Sequence, residues 1–468
     1  MRERLGSLGM TWFLLFASAM VLPTAALAQS GEVAVLWSPT NDSIQKFVAE
    51  NNQCKGLRLV KASRVTDEGL NNICGINTLV RLYIDEATGV TAECLAQVTE
   101  KCRLDYLSIS YSPGLVDELL MALDLSTPLR GLAFYQVGTL SPKSWQALQQ
   151  IKTLSELDIG GMERVSLGLG DALAALPLTA LVIRATELTE ECVDHLPKQH
   201  LKMQRVELDR VTSAGQPLLQ ILAGWPHMQS LTLCGVGAGY LRPECISSIA
   251  AMKLRRLVLR DIPELTDSVL KAMIDIESLT YLELSAVGIT GQVMSDLVRC
   301  PRLEQLAVKA CSLSKMANLA PRCPALGKLD LSLSEDIDIG EIRKILEVGR
   351  LGTLVLFGCN QLSEQDLEKL VQATKLSTLD VSDCRGFTDT VATALGDAVQ
   401  LEQVIAVGCD QLTDRGFLAL GLIETLKVVH VTEFDAGTDG YGITRQAMTR
   451  FRGIRPDVLV NEEGPMRD

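Results

Sequence analysis

The sequence has little of what catalysis and metal binding usually require. It contains four histidines and no His-Glu-x-x-His, P-loop or Gly-x-Ser-x-Gly motif, so the common zinc-hydrolase, nucleotide-binding and serine-hydrolase patterns are missing. Cys192, His195 and His200 have a loosely metal-like spacing, but a zinc site needs four ligands and no second ligand pair lies nearby. The sequence therefore predicts a non-enzymatic protein without metal or cofactor.

Residues 235–239, Gly-Val-Gly-Ala-Gly, follow a predicted strand, as a dinucleotide-binding loop would. The third glycine comes too early for that motif, and Pro243 follows. A tight turn is therefore the favoured interpretation of this segment.

Long apolar runs are also absent after residue 28, so the rest of the chain is not expected to insert into a membrane. Arg2 and Arg4 precede an apolar run over 10–22, and Ala26-Leu-Ala28 supplies small residues for cleavage. This layout predicts a secretory signal peptide, cleaved near Ala28, and an extracytoplasmic (secreted or periplasmic) protein. An uncleaved signal that anchors the chain to the membrane is the alternative.

The chain is acidic, with 44 Lys and Arg against 57 Asp and Glu, for a net charge of −13. An acidic surface repels nucleic acid and anionic membranes and suits neutral or basic partners. We therefore expect a protein or other extracellular ligand as partner, and no nucleic acid. The alternative interpretation is that the net charge serves only to keep the protein soluble.

A regular period, roughly in the middle of the twenties, runs through most of the sequence. Each block opens on an apolar residue, and two further apolar residues follow it by three and five positions, as in Leu104, Leu107 and Ile109. A fixed period in the twenties with the pattern L-x-x-L-x-L predicts a leucine-rich-repeat solenoid. The sixteen opening residues are Cys54, Leu79, Leu104, Leu129, Leu154, Leu178, Met203, Met228, Leu254, Leu279, Leu303, Leu326, Leu351, Leu376, Leu401 and Leu426.

Each block is predicted to form a strand, a turn and a capped helix. The second and third apolar residues lie two apart, so they face one side of a short strand. A Ser, Thr or Asp then precedes the helix, and an acidic residue often follows in the first turn, where the helix dipole favours negative charge. The predicted caps are Thr66, Thr91, Ser141, Thr189, Thr266, Thr290, Ser314, Asp338, Ser363, Thr388 and Thr413.

Stacked blocks of this kind predict an α/β horseshoe with a concave parallel sheet and convex helices. The predicted organisation is a signal peptide over 1–28, an N-terminal cap over 29–53, sixteen repeats over 54–450, and a C-terminal cap strand and tail over 451–468. In the N-terminal cap we expect a strand over 33–37 and a helix that begins at Ser43 behind Asn41-Asp-Ser43. In the C-terminal cap we expect a strand over 457–460.

Three blocks contain the segments Phe357-Gly-Cys-Asn-Gln-Leu-Ser, Ser382-Asp-Cys-Arg-Gly-Phe-Thr and Val407-Gly-Cys-Asp-Gln-Leu-Thr. They resemble the cysteine-containing class of leucine-rich repeats, known from F-box adaptors and ribonuclease-inhibitor-like folds. The resemblance implies a binding scaffold without chemistry of its own. The adaptor role does not carry over, because no F-box segment precedes the repeats. The chain looks more like the secreted repeat proteins of bacteria.

All 13 cysteines lie after residue 28. Cys311, Cys359, Cys384 and Cys409 share one position in their blocks, eight places after the opening, so they are predicted to form a buried ladder of small side chains. Cys300 and Cys323 occupy the same place in neighbouring blocks and are candidates for a disulfide.

The residues two, four and six positions after each opening, which we call slots 2, 4 and 6, should point away from the core onto the concave face. Carboxylates in these slots alternate with arginines and lysines, and most are expected to pair across strands because coils stack about 5 Å apart. Tyrosines also occupy them, and those of the second, third and fourth blocks would form one continuous patch. Aromatic residues also suit strands in general. The predicted contact residues are Tyr83, Tyr106, Tyr135, Tyr281, Asp158, Glu207, Asp209 and Glu283.

The sequence thus predicts a secreted, non-enzymatic scaffold that binds a partner on its concave face, because exposed tyrosines are typical interface anchors. A self-associating envelope scaffold is the main alternative, and an extracellular enzyme is a remote one.

Overall fold

The computed structural model describes most of the chain after residue 32. The predicted signal peptide and Cys323 lie outside the described residues, so the Cys300–Cys323 pairing stays a prediction. The described residues are 33–123, 127–162, 165, 167–212, 215–273, 276–292, 300–314, 324–348, 350–371, 375–398, 400–432 and 442–463.

The chain divides into two compact units, and each alternates strands with short helices. Unit 1 comprises Met1–Met203 with Val211–Ala214, and unit 2 comprises Gln204–Arg210 with Gly215–Asp468. The elements of unit 1 are β1 (Val33–Trp37), α1 (Asn41–Glu50), β2 (Gly56–Val60), α2 (Asp67–Asn72), β3 (Arg81–Asp85), α3 (Ala92–Lys101), β4 (Tyr106–Ser110), α4 (Leu115–Ala122), β5 (Gly131–Tyr135), α5 (Pro142–Leu148), β6 (Glu156–Gly160), α6 (Gly168–Ala175), β7 (Ala180–Arg184) and α7 (Glu190–Asp194).

Unit 2 repeats the pattern, with shorter strands from residue 328 to residue 406. Its elements are β8 (Arg205–Asp209), α8 (Gly215–Ala223), β9 (Ser230–Cys234), α9 (Pro243–Ala251), β10 (Arg256–Ile262), α10 (Asp267–Met273), β11 (Tyr281–Val287), β12 (Gln305–Lys309), β13 (Lys328–Asp330), α11 (Ile339–Val348), β14 (Thr353–Val355), α12 (Glu364–Val371), β15 (Thr378–Asp380), α13 (Asp389–Ala394), β16 (Gln403–Ala406), α14 (Asp414–Leu420), β17 (Val428–Thr432), α15 (Arg445–Ile454) and β18 (Leu459–Glu463). None of the helices in the described part of the chain combines the length and the apolar character that crossing a bilayer requires.

Within each unit, every strand pairs in parallel with the next strand along the chain, in the register of the repeat. Leu82 lies beside Leu107, and Leu107 beside Leu132; in unit 2, Leu257 lies beside Leu282. These leucines are at most 1% exposed, because slots 3 and 5 face the core between sheet and helices. The predicted α/β leucine-rich-repeat solenoid with a parallel sheet is confirmed.

Carboxylates in the first turn of several helices do more than complement the helix dipole. The backbone N–H and the hydroxyl of Thr91 donate to the carboxylate of Asp67 at 2.7 and 2.8 Å. Thr413 donates to Asp389 in the same way, at 2.8 and 2.6 Å. Each carboxylate therefore holds the cap residue of the next coil, so the acidic residue and the cap form one unit that links neighbouring repeats.

The N-terminal strand lies over Val33–Trp37, but its helix begins earlier than we expected. Thr40 is the N-cap residue. Its backbone N–H donates to Oγ of Ser43, and the backbone N–H of Ser43 donates to Oγ1 of Thr40. Asn41 instead bonds Thr66 in the next coil. The expectation that the helix begins at Ser43 is therefore wrong, because Thr40 and Ser43 together make a capping box over the first turn.

At the other end of the chain, Phe451 is buried inside α15, so the predicted boundary at 450/451 falls within a helix. The last strand, Leu459–Glu463, begins shortly after the predicted start at Asp457 and pairs in parallel with β17.

The cysteine ladder of unit 2 is buried as predicted, with Cys311, Cys359, Cys384 and Cys409 at most 4% exposed. The thiols also bond the backbone, since the Sγ atoms of Cys359, Cys384 and Cys409 lie 3.2, 2.9 and 3.1 Å from carbonyl oxygens 28 residues earlier. Burial raises the pKa of Cys359 and Cys384 to about 12, so they remain thiol donors.

The residue in slot 7, at or shortly after the end of the strand, adopts a left-handed conformation in fifteen consecutive repeats, from Lys61 (φ 54°) to Gly408 (φ 71°). Most are not glycine: Tyr111, Arg210 and Leu333 have φ of 53°, 50° and 57°. The turn is stabilised by the backbone, because the slot 7 N–H donates to the next coil, as Tyr111 does to the Tyr135 carbonyl at 2.9 Å. Repeat stacking therefore overrides the usual avoidance of this conformation.

Candidate binding surface on the open face of the sheet

The open face of each unit, formed by the side chains in slots 2, 4 and 6, carries the predicted contact residues. In unit 1 the ring centroids of Tyr83 and Tyr106 lie 5.4 Å apart, with the planes tilted by 39°. Tyr135 contacts Tyr111, at 5.6 Å and in an edge-to-face arrangement. The predicted continuous patch is therefore a group of two pairs, Tyr83–Tyr106 and Tyr111–Tyr135, which we call the tyrosine group.

Members of the tyrosine group differ in how far a partner could reach them. Tyr83 is 6% exposed and Tyr111 is 39% exposed, while Tyr106 and Tyr135 are half-buried. Tyr83 therefore packs against Tyr106 with little exposed surface of its own, whereas the other three present ring surface to solvent.

Glycines hold two of these rings in place. Gly131 lies beside Tyr106 in the sheet register, and a Cβ at residue 131 would overlap Cδ2 of that ring. Gly160 lies beside Tyr135, and a Cβ there would come within 2.8 Å of Cδ2 of Tyr135. Each ring thus packs into the space that a glycine of the next strand leaves free, and this contact restrains the ring before any partner binds.

Burial raises the pKa of Tyr83 and of Tyr106 above the usual value; the charges of Arg81 and Arg58 oppose this effect on Tyr83, whereas the charge of Asp158 adds to it on Tyr106. Tyr83 and Tyr106 are therefore uncharged across physiological pH, and their phenol hydroxyls remain hydrogen-bond donors.

β1 adds apolar surface to the same face. Its register with β2 places Val35 beside Arg58 and Trp37 beside Val60, and Arg58 in turn lies beside Tyr83. Trp37 is 71% exposed and Val35 is 42% exposed. Large apolar side chains this exposed on one face are typical of interaction surfaces.

Two pairs of charged residues on the open face of unit 1 bond across strands, as we expected for most of these charges. Arg58 Nη2 lies 3.0 Å from Asp85 Oδ2, and both side chains are nearly buried. Asp158, a predicted contact residue, accepts from Arg184. In each pair the positive and negative side chains next to the tyrosine group neutralise each other's charge.

Unit 2 places another pair of predicted contact residues, Tyr281 and Glu283, in a charged network. Glu283 is 3% exposed and accepts from Arg260 Nε at 2.8 Å and from the Tyr281 hydroxyl at 2.6 Å. Burial favours the neutral acid, but the hydrogen bonds from Arg260 and Tyr281 outweigh it and lower the pKa of Glu283. Burial and the bond to Glu283 raise the pKa of Tyr281 to about 12.

The network extends along neighbouring strands. The guanidinium of Arg256 lies 3.6 Å from the centre of the Tyr281 ring, a cation–π contact. Lys309 Nζ lies 3.9 Å from Glu283 and 3.1 Å from Asp330. Most of the charge in this network is therefore satisfied inside the protein.

Glu207 and Asp209, the other predicted contact residues, lie on β8 and are half-buried. Glu207 lies beside Thr232 in the sheet register. Asp209 forms an ion pair with Arg210, whose Nε lies 3.4 Å from Oδ1. Burial and the charge of Asp209 raise the pKa of the neighbouring Cys234, so this thiol stays protonated at neutral pH.

The metal-like spacing of Cys192, His195 and His200 does not bring these side chains together around one point. His195 Nε2 contacts Asp171 at 3.0 Å, and His200 Nδ1 accepts from the backbone N–H groups of residues 202 and 203. Among the described residues no group of three or more His, Cys, Asp and Glu side chains is arranged to hold a metal ion.

Sequence reasoning missed Tyr111, Trp37 and the glycines under the rings. Tyr111 occupies slot 7, which the strand pattern assigns to the turn, and only its left-handed backbone directs the ring onto Tyr135. The glycines did leave a signal, since Gly131 and Gly160 each follow a tyrosine by one repeat period.

No protein-family model matches the sequence, and no curated protein matches it. Solved structures do match. One is the crystal structure of the Rad7 and Elc1 complex in yeast, at 15% identity and a TM-score of 0.39, over 90% of this chain and 83% of that chain. Another is the TLR13–ssRNA13 complex, at 13% identity and a TM-score of 0.51, over 91% of this chain and 65% of that chain.

This chain therefore spans just under two thirds of the TLR13 chain that it matches. At this identity the similarity concerns the fold alone. It agrees with the strand register, and the chain is a leucine-rich-repeat solenoid.

Proposed function

We propose that this chain is a non-enzymatic, extracytoplasmic binding protein that holds a partner on the open face of unit 1. The observation that carries the proposal is the tyrosine group, in which the rings of Tyr106 and Tyr135 pack against Gly131 and Gly160. Rigid aromatic side chains supply contact area at a small cost in conformational entropy, which favours binding.

The distribution of charge supports a partner of neutral or basic character. Arg58–Asp85 and Arg184–Asp158 satisfy each other next to the tyrosine group, so the aromatic surface lies among neutralised strands. The whole chain carries a net charge of −13, which repels nucleic acid. A neutral or basic protein surface that offers apolar side chains and carbonyl acceptors for the phenol hydroxyls matches this face.

The proposal is tested by partner capture with two double variants of unit 1. Trp37→Ala/Tyr111→Ala removes two exposed aromatic side chains from the open face. Met121→Ala/Leu201→Ala removes two side chains that are 53% and 69% exposed and lie outside the strands. The bait is the chain from residue 29 onward, and the sample is the extracellular or envelope fraction of the host.

We expect the first variant to lose at least about tenfold in affinity for the captured partner, since two anchors cost about 1 kcal/mol or more each. The second should bind like the wild type, and both should melt like it, because exposed side chains contribute little to stability. If both variants captured the partner equally well, the open face of unit 1 would not be the binding surface. Capture of further copies of the chain only, with a mass that rises with concentration, would favour the self-associating scaffold.

Export is tested separately. We expect the N-terminus of the protein recovered from its host to lie close to residue 29, in the extracytoplasmic fraction. Recovery of the intact N-terminus in the membrane fraction would favour an uncleaved anchor.

A further inference from the structure

Two thiols meet at the helix ends of neighbouring repeats in unit 1. Cys74 lies in the short 3₁₀ turn Ile73–Gly75 that follows α2, and Cys102 is the residue after the last turn of α3. Their Sγ atoms are 3.4 Å apart, although 28 residues separate them in the sequence. Both side chains are half-buried, so small reagents can reach them.

The repeat pattern hides this pair. Cys74 lies nearer to its block opening, Cys54, than Cys102 lies to Leu79. α2 has six residues and α3 has ten, so positions that differ in the repeat meet where the two helices end. A disulfide requires Sγ atoms about 2 Å apart, so the two sulfurs must come closer than their 3.4 Å separation.

The two thiols have different chemistry. The hydrogen bond from Cys102 lowers the pKa of Cys74 to about 7 against the opposing effect of burial, and the charge of Lys101 helps. The same hydrogen bond and burial raise the pKa of Cys102. Cys74 is therefore the nucleophile at neutral pH, since the thiolate is the reactive form.

Cys94, in the same region, behaves differently. It is 5% exposed, its Sγ accepts from Asn71 at 3.4 Å, and burial raises its pKa to about 11. Cys94 is therefore a matched control for Cys74 and Cys102.

We propose that Cys74 and Cys102 are a redox-active pair that closes into a disulfide between neighbouring repeats by exchange with a low-molecular-weight disulfide. The Cys74 thiolate attacks one sulfur of the external disulfide, whose S–S bond breaks and releases one thiolate. This thiolate takes the proton of Cys102, and Cys102 Sγ then attacks Cys74 Sγ and expels the second thiolate, which is protonated by water. Two protein thiols are oxidised to one disulfide, and the external disulfide is reduced to two thiols.

The proposal is independent of the proposed function, and its test needs no binding partner. The full chain, reduced and then freed of reductant, is exposed to oxidised glutathione under native conditions, quenched with acid and mapped by peptide mass spectrometry. We expect a Cys74–Cys102 disulfide without retained glutathione. The rate should rise with pH and level off above a pKa of about 7.

Three variants separate the roles of the two thiols. Cys102→Ser should retain glutathione on Cys74, because the resolving thiol is gone. Cys74→Ser should react about tenfold more slowly at pH 7, because the raised pKa of Cys102 keeps this thiol protonated. Cys94→Ser should behave like the wild type.

Three results on the wild type would overturn the proposal: glutathione retained on Cys74, linkage of Cys74 to Cys94, or no reaction until the chain is unfolded. The wild-type map alone decides between these results and the expected disulfide, so the test stands even where a variant folds poorly.

Discussion

The open face of unit 1 is packed with aromatic rings, whereas that of unit 2 is packed with charged side chains. In unit 1, Tyr106 and Tyr135 rest on glycines of the next strand. In unit 2, Arg260 and Lys309 reach Glu283 from the strands on either side of it. Both arrangements fill the gap of about 5 Å between adjacent strands.

The difference indicates which face contributes mainly to stability and which face is available for binding. A ring that rests on glycine is satisfied by apolar contact and keeps one side open to solvent. A buried carboxylate needs donors on several sides, so the neighbouring groups are turned inward and little remains for a partner. We therefore expect mutations in unit 2 to affect folding first, and mutations of exposed rings in unit 1 to affect binding first.

Removal of the central carboxylate of unit 2 should have the largest effect. Glu283→Ala leaves Arg260 and the Tyr281 hydroxyl without their acceptor, and loss of one partner from a buried pair costs about 3–5 kcal/mol. Because the side chain of Arg260 is 44% exposed and can turn to water, we expect about 3 kcal/mol. This loss of stability is measured by hydrogen exchange of the backbone amides of β10–β12.

Glu347→Ala is the matched control, since the side chain of Glu347 is 60% exposed and pairs with Arg343 on the helix surface. It should change stability by less than about 0.5 kcal/mol. Equal effects of the two substitutions would mean that the charged network does not stabilise unit 2.

A side chain placed under a ring of unit 1 should have the next largest effect. Gly131→Val puts two methyl groups where the ring of Tyr106 lies, and such overpacking costs about 1–3 kcal/mol. The double variant Gly131→Val/Tyr106→Ala should lose less than the sum of its single variants, because the overlap is gone. Additive losses in urea unfolding would contradict direct contact between ring and glycine.

A fall in pH should have the smallest of these effects, and it should distinguish the open face of unit 2 from that of unit 1. The pKa of Glu283 is lower in the folded protein than the ordinary value of 4.5, so its contribution is complete above about pH 4.5 and is lost as the pH falls through the folded pKa. Glu283→Gln should therefore lose less stability than the wild type between neutral pH and that range. Tyr83 and Tyr106 have raised pKa values and do not titrate there, so hydrogen exchange in β3–β5 should not depend on this substitution.

The sequence predicted the strands, the buried cysteine ladder and the cross-strand ion pairs, because each follows from position within one repeat. It assigned the acidic residue after each cap only to the first turn of its own helix, whereas the carboxylate of Asp67 also holds Thr91 in the next coil. It treated Tyr83, Tyr106 and Tyr135 as equivalent, but Tyr83 is buried. Which of the three rings is exposed depends on how each ring is oriented between the strands, and the repeat period carries no information about that orientation.

The sequence by itself determined the repeat, its strand and helix, and the face that each side chain occupies, because the repeat period and the alternation within a strand are local properties. Only the tertiary structure decided which side chains meet between coils: Tyr111 with Tyr135, Cys74 with Cys102, Arg260 with Glu283. These contacts depend on helix length, on the backbone after each strand and on the room left by glycine. Stacking converts such small local differences into proximity between residues that are distant in the sequence.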